Sequence, residues 1–234
     1  VAGVNCYLRT IIGKNIIIMK TALVVGATGA VGKALVYQLL EDNSYLRILV
    51  LSRKPLTIKH HKLTVVIVNF DALNDYSDQM AADDVYCCLG TTIKVAGSKA
   101  AFYKIDHDYV LDVARICKQK GATQFILVTA MGADSTSAIF YNKVKGDVEQ
   151  HVANLNYNSF ITVRPSLLLT NRSEFRFGEW IAQVLMKYTR FLFIGSLKKI
   201  KAIPVEMVAK SMIHFANKGL KGNHVFTNDM LFIQ

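Results

Sequence analysis

Gly26-Ala27-Thr28-Gly29-Ala30-Val31-Gly32 follows a short apolar run, 21–26 (TALVVG), and opens a stretch in which Val31, Leu35, Val36, Leu39 and Leu40 fall on one helical stripe. Strand, glycine turn and helix are the order a phosphate-binding loop needs. One glycine permits the tight turn, another lets backbone N–H groups approach a pyrophosphate, and a third lets helix and strand pack closely. Placement carries more weight than the glycines themselves. In this context Gly26, Thr28, Gly29, Ala30, Val31 and Gly32 are expected to hold a dinucleotide.

Outward from the loop, the runs 46–52 (LRILVLS), 65–70 (VVIVNF), 84–90 (DVYCCLG), 124–130 (QFILVTA) and 159–165 (SFITVRP) read as strands buried on both faces. Tyr109, Val110, Val113, Ala114 and Cys117 form a second helical stripe. Gly121 stops that helix, and Pro204 suits the first turn of another over roughly 204–217. Alternation of strand and helix predicts an α/β fold: a doubly wound, mostly parallel Rossmann sheet with helices on both faces and a small C-terminal substrate-side region.

Residues 19–234 read as one domain. Residues 1–18, ahead of Met19-Lys20, are either an N-terminal extension or a packed leading segment, and receive no function. Between 166 and 203 the rhythm breaks, with Trp180 and the apolar cluster Phe191-Leu192-Phe193-Ile194. Insertions there flank the carboxyl ends of the strands, where ligands bind, so a substrate-pocket wall or lid is expected. Ordinary core and a dimer or membrane-surface contact are the alternatives.

Composition bounds the rest. A chain of 234 residues, 52% hydrophobic and 19% charged with only 3 Pro, is long enough for a sizeable core and unlike a disordered chain. Lys and Arg exceed Asp and Glu by 28 − 17 = 11, which favours anionic partners. The basic residues are scattered, as at Lys14, Lys59, Lys118 and Lys221, and no nucleic-acid module is recognisable, so nucleic acid is not the expected partner. Cys6, Cys87, Cys88 and Cys117 form no CxxC pair and read as reduced core residues of a cytoplasmic protein. No apolar stretch reaches roughly 18 residues, so no membrane span is expected. His60-His61 lacks an acidic or thiol partner at ligand spacing, and His107, His151, His214 and His224 stand isolated, so no metal site is expected.

The end of the second strand selects the cofactor, because an acidic residue there would repel a 2′-phosphate. The chain reads Ser52-Arg53-Lys54. Arg53 can fork onto phosphate and stack on adenine, and Ser52 can donate a hydrogen bond, which favours NADP(H) over NAD(H); a solvated basic turn is the alternative. Asp71 and Ala72, past the third strand, are placed for the adenine, with a loop-capping aspartate as the plainer reading. Leu89-Gly90-Thr91-Thr92 ends the fourth strand with small residues that admit the nicotinamide-side ribose.

Tyr141 and Lys145 lie four residues apart at the start of the helix after the fifth strand, hence on one face. A nearby ammonium and a cofactor cation would depress the phenol from about 10 and make Tyr141 a proton donor to a carbonyl or an acceptor from an alcohol. Lys145 would also hold ribose hydroxyls.

With these pieces in order, the chain resembles the atypical short-chain dehydrogenase/reductases. The resemblance runs from about residue 21 to 226 and rests on GATGAVG, CCLGTT, FYKIDHDYVLDVARICKQKGA, MGADS, YNKVKGDVE, VRPSLLL, Gly178-Glu179-Trp180 and GNHVF. It implies an NADP(H)-binding, cytosolic oxidoreductase-like protein with Tyr141 and Lys145 in active-site positions, Arg53 on the 2′-phosphate, and Arg164-Pro165-Ser166 near the nicotinamide end. Two departures stand out. Where many relatives place a catalytic serine after the fifth strand, this chain reads Thr129-Ala130-Met131; Thr129 is the candidate hydroxyl, with Ser135 and Ser137 as substitutes. Where extended relatives carry asparagine in the helix after the fourth strand, this chain has Asp106.

The leading expectation is therefore an NADP(H)-dependent oxidoreductase acting on a small carbonyl or alcohol, as monomer or homodimer, with Tyr141 as acid/base. The alternative is an NADP(H)-binding redox sensor or scaffold for a protein partner, without turnover, which the missing serine favours and the intact Tyr141–Lys145 pair opposes.

Overall fold

The computed structural model describes residues 9–12, 15–169 and 201–232. Two leading strands, β1 (Arg9–Ile12) and β2 (Asn15–Ile18), pair antiparallel with each other and take no place in the main sheet. The chain then runs through β3 (Lys20–Val25), α1 (Ala30–Glu41), β4 (Tyr45–Ser52), β5 (Leu63–Ile67), β6 (Asp84–Cys87), α2 (Ile93–Ala96) and α3 (Lys99–Tyr103). A π-turn, Lys104–Asp108, leads into α4 (Tyr109–Gln119), followed by β7 (Gln124–Val128), α5 (Phe140–Ala153), β8 (Ser159–Arg164) and the short β9 (Leu168–Leu169). Past the undescribed stretch come β10 (Ile203–Pro204), α6 (Val205–Ala216) and β11 (Gly222–Thr227).

Seven strands form one sheet in the order β11-β8-β7-β6-β3-β4-β5, and every neighbouring pair is parallel. Because successive side chains alternate faces, Ala22 and Val24 pack with Val31, Leu35 and Leu39 of α1 and Val208 and Met212 of α6. Leu23 and Val25 pack on the other side with Val110, Val113 and Cys117 of α4 and Val148 and Val152 of α5. Helices thus cover both faces, as the alternating pattern requires. From β3 the chain adds β4 and β5 on one side and then crosses back to place β6 on the other, so the carboxyl ends of β3 and β6 border the crevice where such sheets bind ligands.

Element ends follow local chemistry. Gly121 takes φ +95° after α4, and Pro204, at φ −60°, precedes α6. The third strand stops at Ile67 instead of running to Phe70, because the Asn69 side chain accepts the Asp71 N–H and starts a 3₁₀ stretch, Phe70–Gln79. The edge strand β11 escapes the sequence pattern: paired on one side only and half exposed, it carries no continuous apolar run. Trp180 and Phe191-Leu192-Phe193-Ile194, the expected pocket wall, lie outside the described residues. No helix among the described residues is long and apolar enough to cross a membrane.

Candidate functional site

The glycine loop is built by close approach. Gly26 sits at φ +84°, and a β-carbon there would meet the Cys88 carbonyl oxygen at 2.4 Å. Gly32, inside α1, would meet the Gly26 carbonyl oxygen at 2.2 Å. Gly29 has only that same oxygen nearby, at 3.4 Å, and is exposed with Thr28 at the crest of the loop. As N-cap of α1, Gly29 offers no side chain to the first-turn N–H groups, and that turn holds no acidic residue. Buried Val31 anchors the turn, while the open donors and positive dipole end fit a phosphate.

Ser52 ends β4 buried, its hydroxyl accepting the Lys54 N–H at 3.2 Å. Arg53 and Lys54 beyond it are exposed, with no side-chain hydrogen bond or ion pair among the described residues. Asp71 is already engaged: Lys104 Nζ lies 2.6 Å away and the Tyr109 hydroxyl donates to it at 2.5 Å, which together hold its carboxyl below the usual range. The Ala72 N–H goes to the Asn69 carbonyl. These pairings favour the plainer loop reading of Asp71.

The segment after β6 links this loop to the tyrosine and lysine. Cys88, against Gly26, leads into Leu89 and Gly90, and a β-carbon on Gly90 would lie 3.4 Å from Lys145 Nζ. Thr91 donates its N–H to Asp106 at 2.9 Å, and Thr92 caps α2 through the Val95 N–H. Glycine loop, Gly90 and Lys145 therefore form one continuous surface at the strand ends.

Tyr141 and Lys145 share a face of α5. The Tyr141 ring packs on Phe102 at 5.5 Å between centroids, and its hydroxyl has no hydrogen-bond partner among the described residues. Lys145 Nζ stands 2.7 Å from Asp106 Oδ1, both side chains essentially sealed. Burial opposes the ammonium, yet Asp106, supported by Tyr141, holds it above the ordinary lysine value. Burial also pushes the Asp106 carboxyl up, against Lys145 and the Thr91 N–H. The ammonium by itself does not depress the phenol as expected: burial raises Tyr141 above 10, Lys145 pulls it down, and Asp106 pushes it up again. The ammonium that was to depress the phenol is already paired.

Thr129 is buried and donates its hydroxyl to Glu149 of α5 at 2.5 Å. Arg164, at the end of β8, grips the same carboxylate through its Nε and Nη2. The proton of this candidate serine replacement is thus committed to Glu149. Ser137 accepts the Ile139 N–H ahead of α5. Ser135 lines a groove of about 580 Å³ with Glu149, Arg164 and His224, whose lining includes neither Tyr141 nor Lys145. Pro165 is buried, its carbonyl accepting the Met131 N–H, and Ser166 is tied to Asn228 and Lys201.

Sequence reasoning missed three pairings. In the sequence Asp106 stands out only as a departure from a pattern, and Glu149 only as the last residue of YNKVKGDVE, with no role attached. His107 and His151 are not isolated: their rings meet at 2.7 Å (Nε2 to Nδ1), His107 Nδ1 reaches Asp108 at 2.8 Å, and Tyr103 stacks on His107. Forty-four residues separate the two histidines, so no spacing signal existed. Among the described residues no cluster suits a metal.

Known proteins agree with this frame. The chain is 34% identical over 203 residues to Protein HTATIP2 of Rattus norvegicus, covering 83% of this chain and 80% of the relative. It is 30% identical over 208 residues to Protein FMP52, mitochondrial, of Candida albicans, covering 86% and 90%. Among solved structures, MoeE5 in complex with UDP-glucose and NAD superposes with a TM-score of 0.68 at 14% identity, covering 88% of this chain and 75% of that one. A short chain dehydrogenase family protein from Francisella tularensis superposes at 0.65 and 13% identity, covering 91% and 98%. The family described as NAD(P)H-binding matches residues 26–178, the span from glycine loop to the far side of β8, and this chain belongs to that family.

Proposed function

We propose that the chain is an NADP(H)-dependent oxidoreductase acting on a small carbonyl or alcohol, with Tyr141 exchanging the oxygen-bound proton. The observation that carries this reading is the continuity of the site: Gly26 abuts Cys88, and Gly90, two residues on, abuts Lys145. A dinucleotide fits these residues, since Gly29 leaves the uncapped end of α1 open and Arg53 lies exposed and unpaired among the described residues. Bound there, the nicotinamide supplies or takes a hydride at the carbonyl carbon. Tyr141 gives its phenolic proton to the carbonyl oxygen in reduction and regains one from solvent; in oxidation the proton moves the other way. Lys145 orients ribose hydroxyls, the α1 N–H groups bind the pyrophosphate, and Arg53 with Ser52 holds the 2′-phosphate, which favours NADP(H) over NAD(H).

One observation favours the second reading, an NADP(H)-binding sensor or scaffold: the Thr129 hydroxyl is committed to Glu149. Two measurements decide. NADPH at 100 times its Kd stabilises the fold by about 2.7 kcal/mol, and wild type reduces a panel of carbonyl compounds at least 100-fold faster than Tyr141→Phe. Binding without turnover in either protein establishes the sensor; no binding removes both readings. A cytoplasmic location belongs to the same proposal and rests on the free thiols Cys87, Cys88 and Cys117. Fractionation against a mitochondrial marker tests it.

A further inference from the structure

We propose that Asp106 is a positioning residue that clamps Lys145 and cancels its charge, so that Tyr141 stays protonated and the site runs as a carbonyl reductase. The inference rests on the oxidoreductase reading and names the direction in which that site works.

The geometry is specific. Asp106 lies in the π-turn between α3 and α4, where the widened helix turns its side chain inward to α5. One carboxylate oxygen takes the Thr91 N–H at 2.9 Å; the other stands 2.7 Å from Lys145 Nζ. The carboxylate is fully buried and the ammonium nearly so, hence water screens neither charge. The neighbouring residue, His107, fastens the same turn to His151 at the other end of α5. Two consecutive residues thus pin the π-turn to the helix bearing Tyr141.

A paired ammonium acts on the phenol as a dipole and not as a full charge. Among the described residues the charged and titratable groups facing Tyr141 are Lys145 on α5 and Asp106 on the π-turn. From β6, Cys87 faces Lys145, and burial pushes its thiol up to about 12, so it stays neutral. Among the described residues no other group offsets the burial that favours the neutral phenol. A neutral phenol can give a proton to a carbonyl oxygen; only a phenolate can accept one from an alcohol. At neutral pH Tyr141 is therefore in the form that donates to a carbonyl oxygen, and the form that accepts from an alcohol grows in only as pH rises. Lys145, held by Asp106, keeps its ammonium beside Gly90, where ribose hydroxyls would lie.

The test needs neither substrate nor turnover. Tyrosine labelled with 13C at Cζ gives an NMR titration for each phenol, with Tyr141 assigned by its absence in Tyr141→Phe. In Asp106→Asn, which keeps the shape and an acceptor for Thr91, the Tyr141 midpoint falls by about one pH unit or more. An unchanged or higher midpoint in a folded Asp106→Asn protein overturns the proposal. Should that variant fail to fold, Asp106→Leu/Lys145→Met removes both charges and leaves an apolar pair of similar volume. Its midpoint stays within about half a unit of wild type if the two charges cancel, and rises by more than about one unit if Lys145 acts uncompensated, which overturns the proposal. Carbonyl reduction without the midpoint shift removes this inference alone; the shift without turnover overturns the oxidoreductase reading and the reductase direction with it, and leaves only the charge clamp.

Discussion

A β-carbon on Gly32 would stand 2.2 Å from the carbonyl oxygen of Gly26, inside the hard-sphere limit and against backbone that cannot swing aside. Gly29, three residues earlier, would meet that oxygen at an ordinary 3.4 Å. Two glycines of one motif therefore have different duties, packing for Gly32 and ligand access for Gly29. Gly32→Ala should cost about 1–3 kcal/mol of stability and abolish NADPH stabilisation as the loop is displaced. Gly29→Ala should cost under about 1 kcal/mol while still weakening NADPH at least tenfold. Thermal melts with and without NADPH separate them, and equal losses of melting temperature would contradict the division.

Arg53 is exposed beyond β4 without a side-chain partner among the described residues, so its removal leaves no buried group orphaned. Arg53→Ala should melt within about 0.5 kcal/mol of wild type. Its NADPH affinity should fall by about 10-fold or more, with NADH affinity changed less than threefold, because a charged hydrogen bond to phosphate is worth about 1.5–3 kcal/mol. Calorimetric titration with both cofactors checks this. A parallel loss for NADH would show that Arg53 does not read the 2′-phosphate.

Thr129, the candidate for the absent serine, already has a protein partner for its hydroxyl. Its proton goes to Glu149, which Arg164 also holds, and the three side chains tie β7, α5 and β8 together. Thr129→Val should cost about 1–3 kcal/mol by leaving Glu149 short of a donor, and lower kcat for carbonyl reduction less than about tenfold. A loss of kcat above 100-fold with an unchanged melting temperature would restore Thr129 as a group that touches substrate.

Much of this arrangement was legible in the sequence because it is local. The glycine turn, the strand runs and the four-residue spacing of Tyr141 and Lys145 depend on neighbours along the chain, where period and φ preference decide. The pairings that set the site's charge are not local. Asp106 reaches Lys145 only because a π-turn re-aims it, and His107 reaches His151 only because α4 and α5 pack on the same face of the sheet. β11 was hidden for another reason: an edge strand with one wet face needs no apolar run.

At the opposite end of the sheet, Asp84 of β6 is buried beneath Lys20, 3.0 Å away, and accepts the Tyr45 hydroxyl at 2.7 Å, with Tyr86 bonded to Tyr45 in turn. Burial dominates and raises the carboxyl above 3.8, although Lys20 and Tyr45 pull it down. The folded chain therefore holds this proton more tightly than the unfolded chain. Stability from this group is present below the unfolded value and is lost as pH rises through the higher folded value. Asp84→Asn removes the titration but keeps the shape. The unfolding free energy of wild type minus that of Asp84→Asn should be largest below about pH 4 and decline towards neutrality, with a slope of at most about 1.4 kcal/mol per pH unit. Asp106 titrates alike in both proteins and drops out of the difference. A difference that grows with pH would mean that Lys20 outweighs burial and the folded carboxyl is depressed.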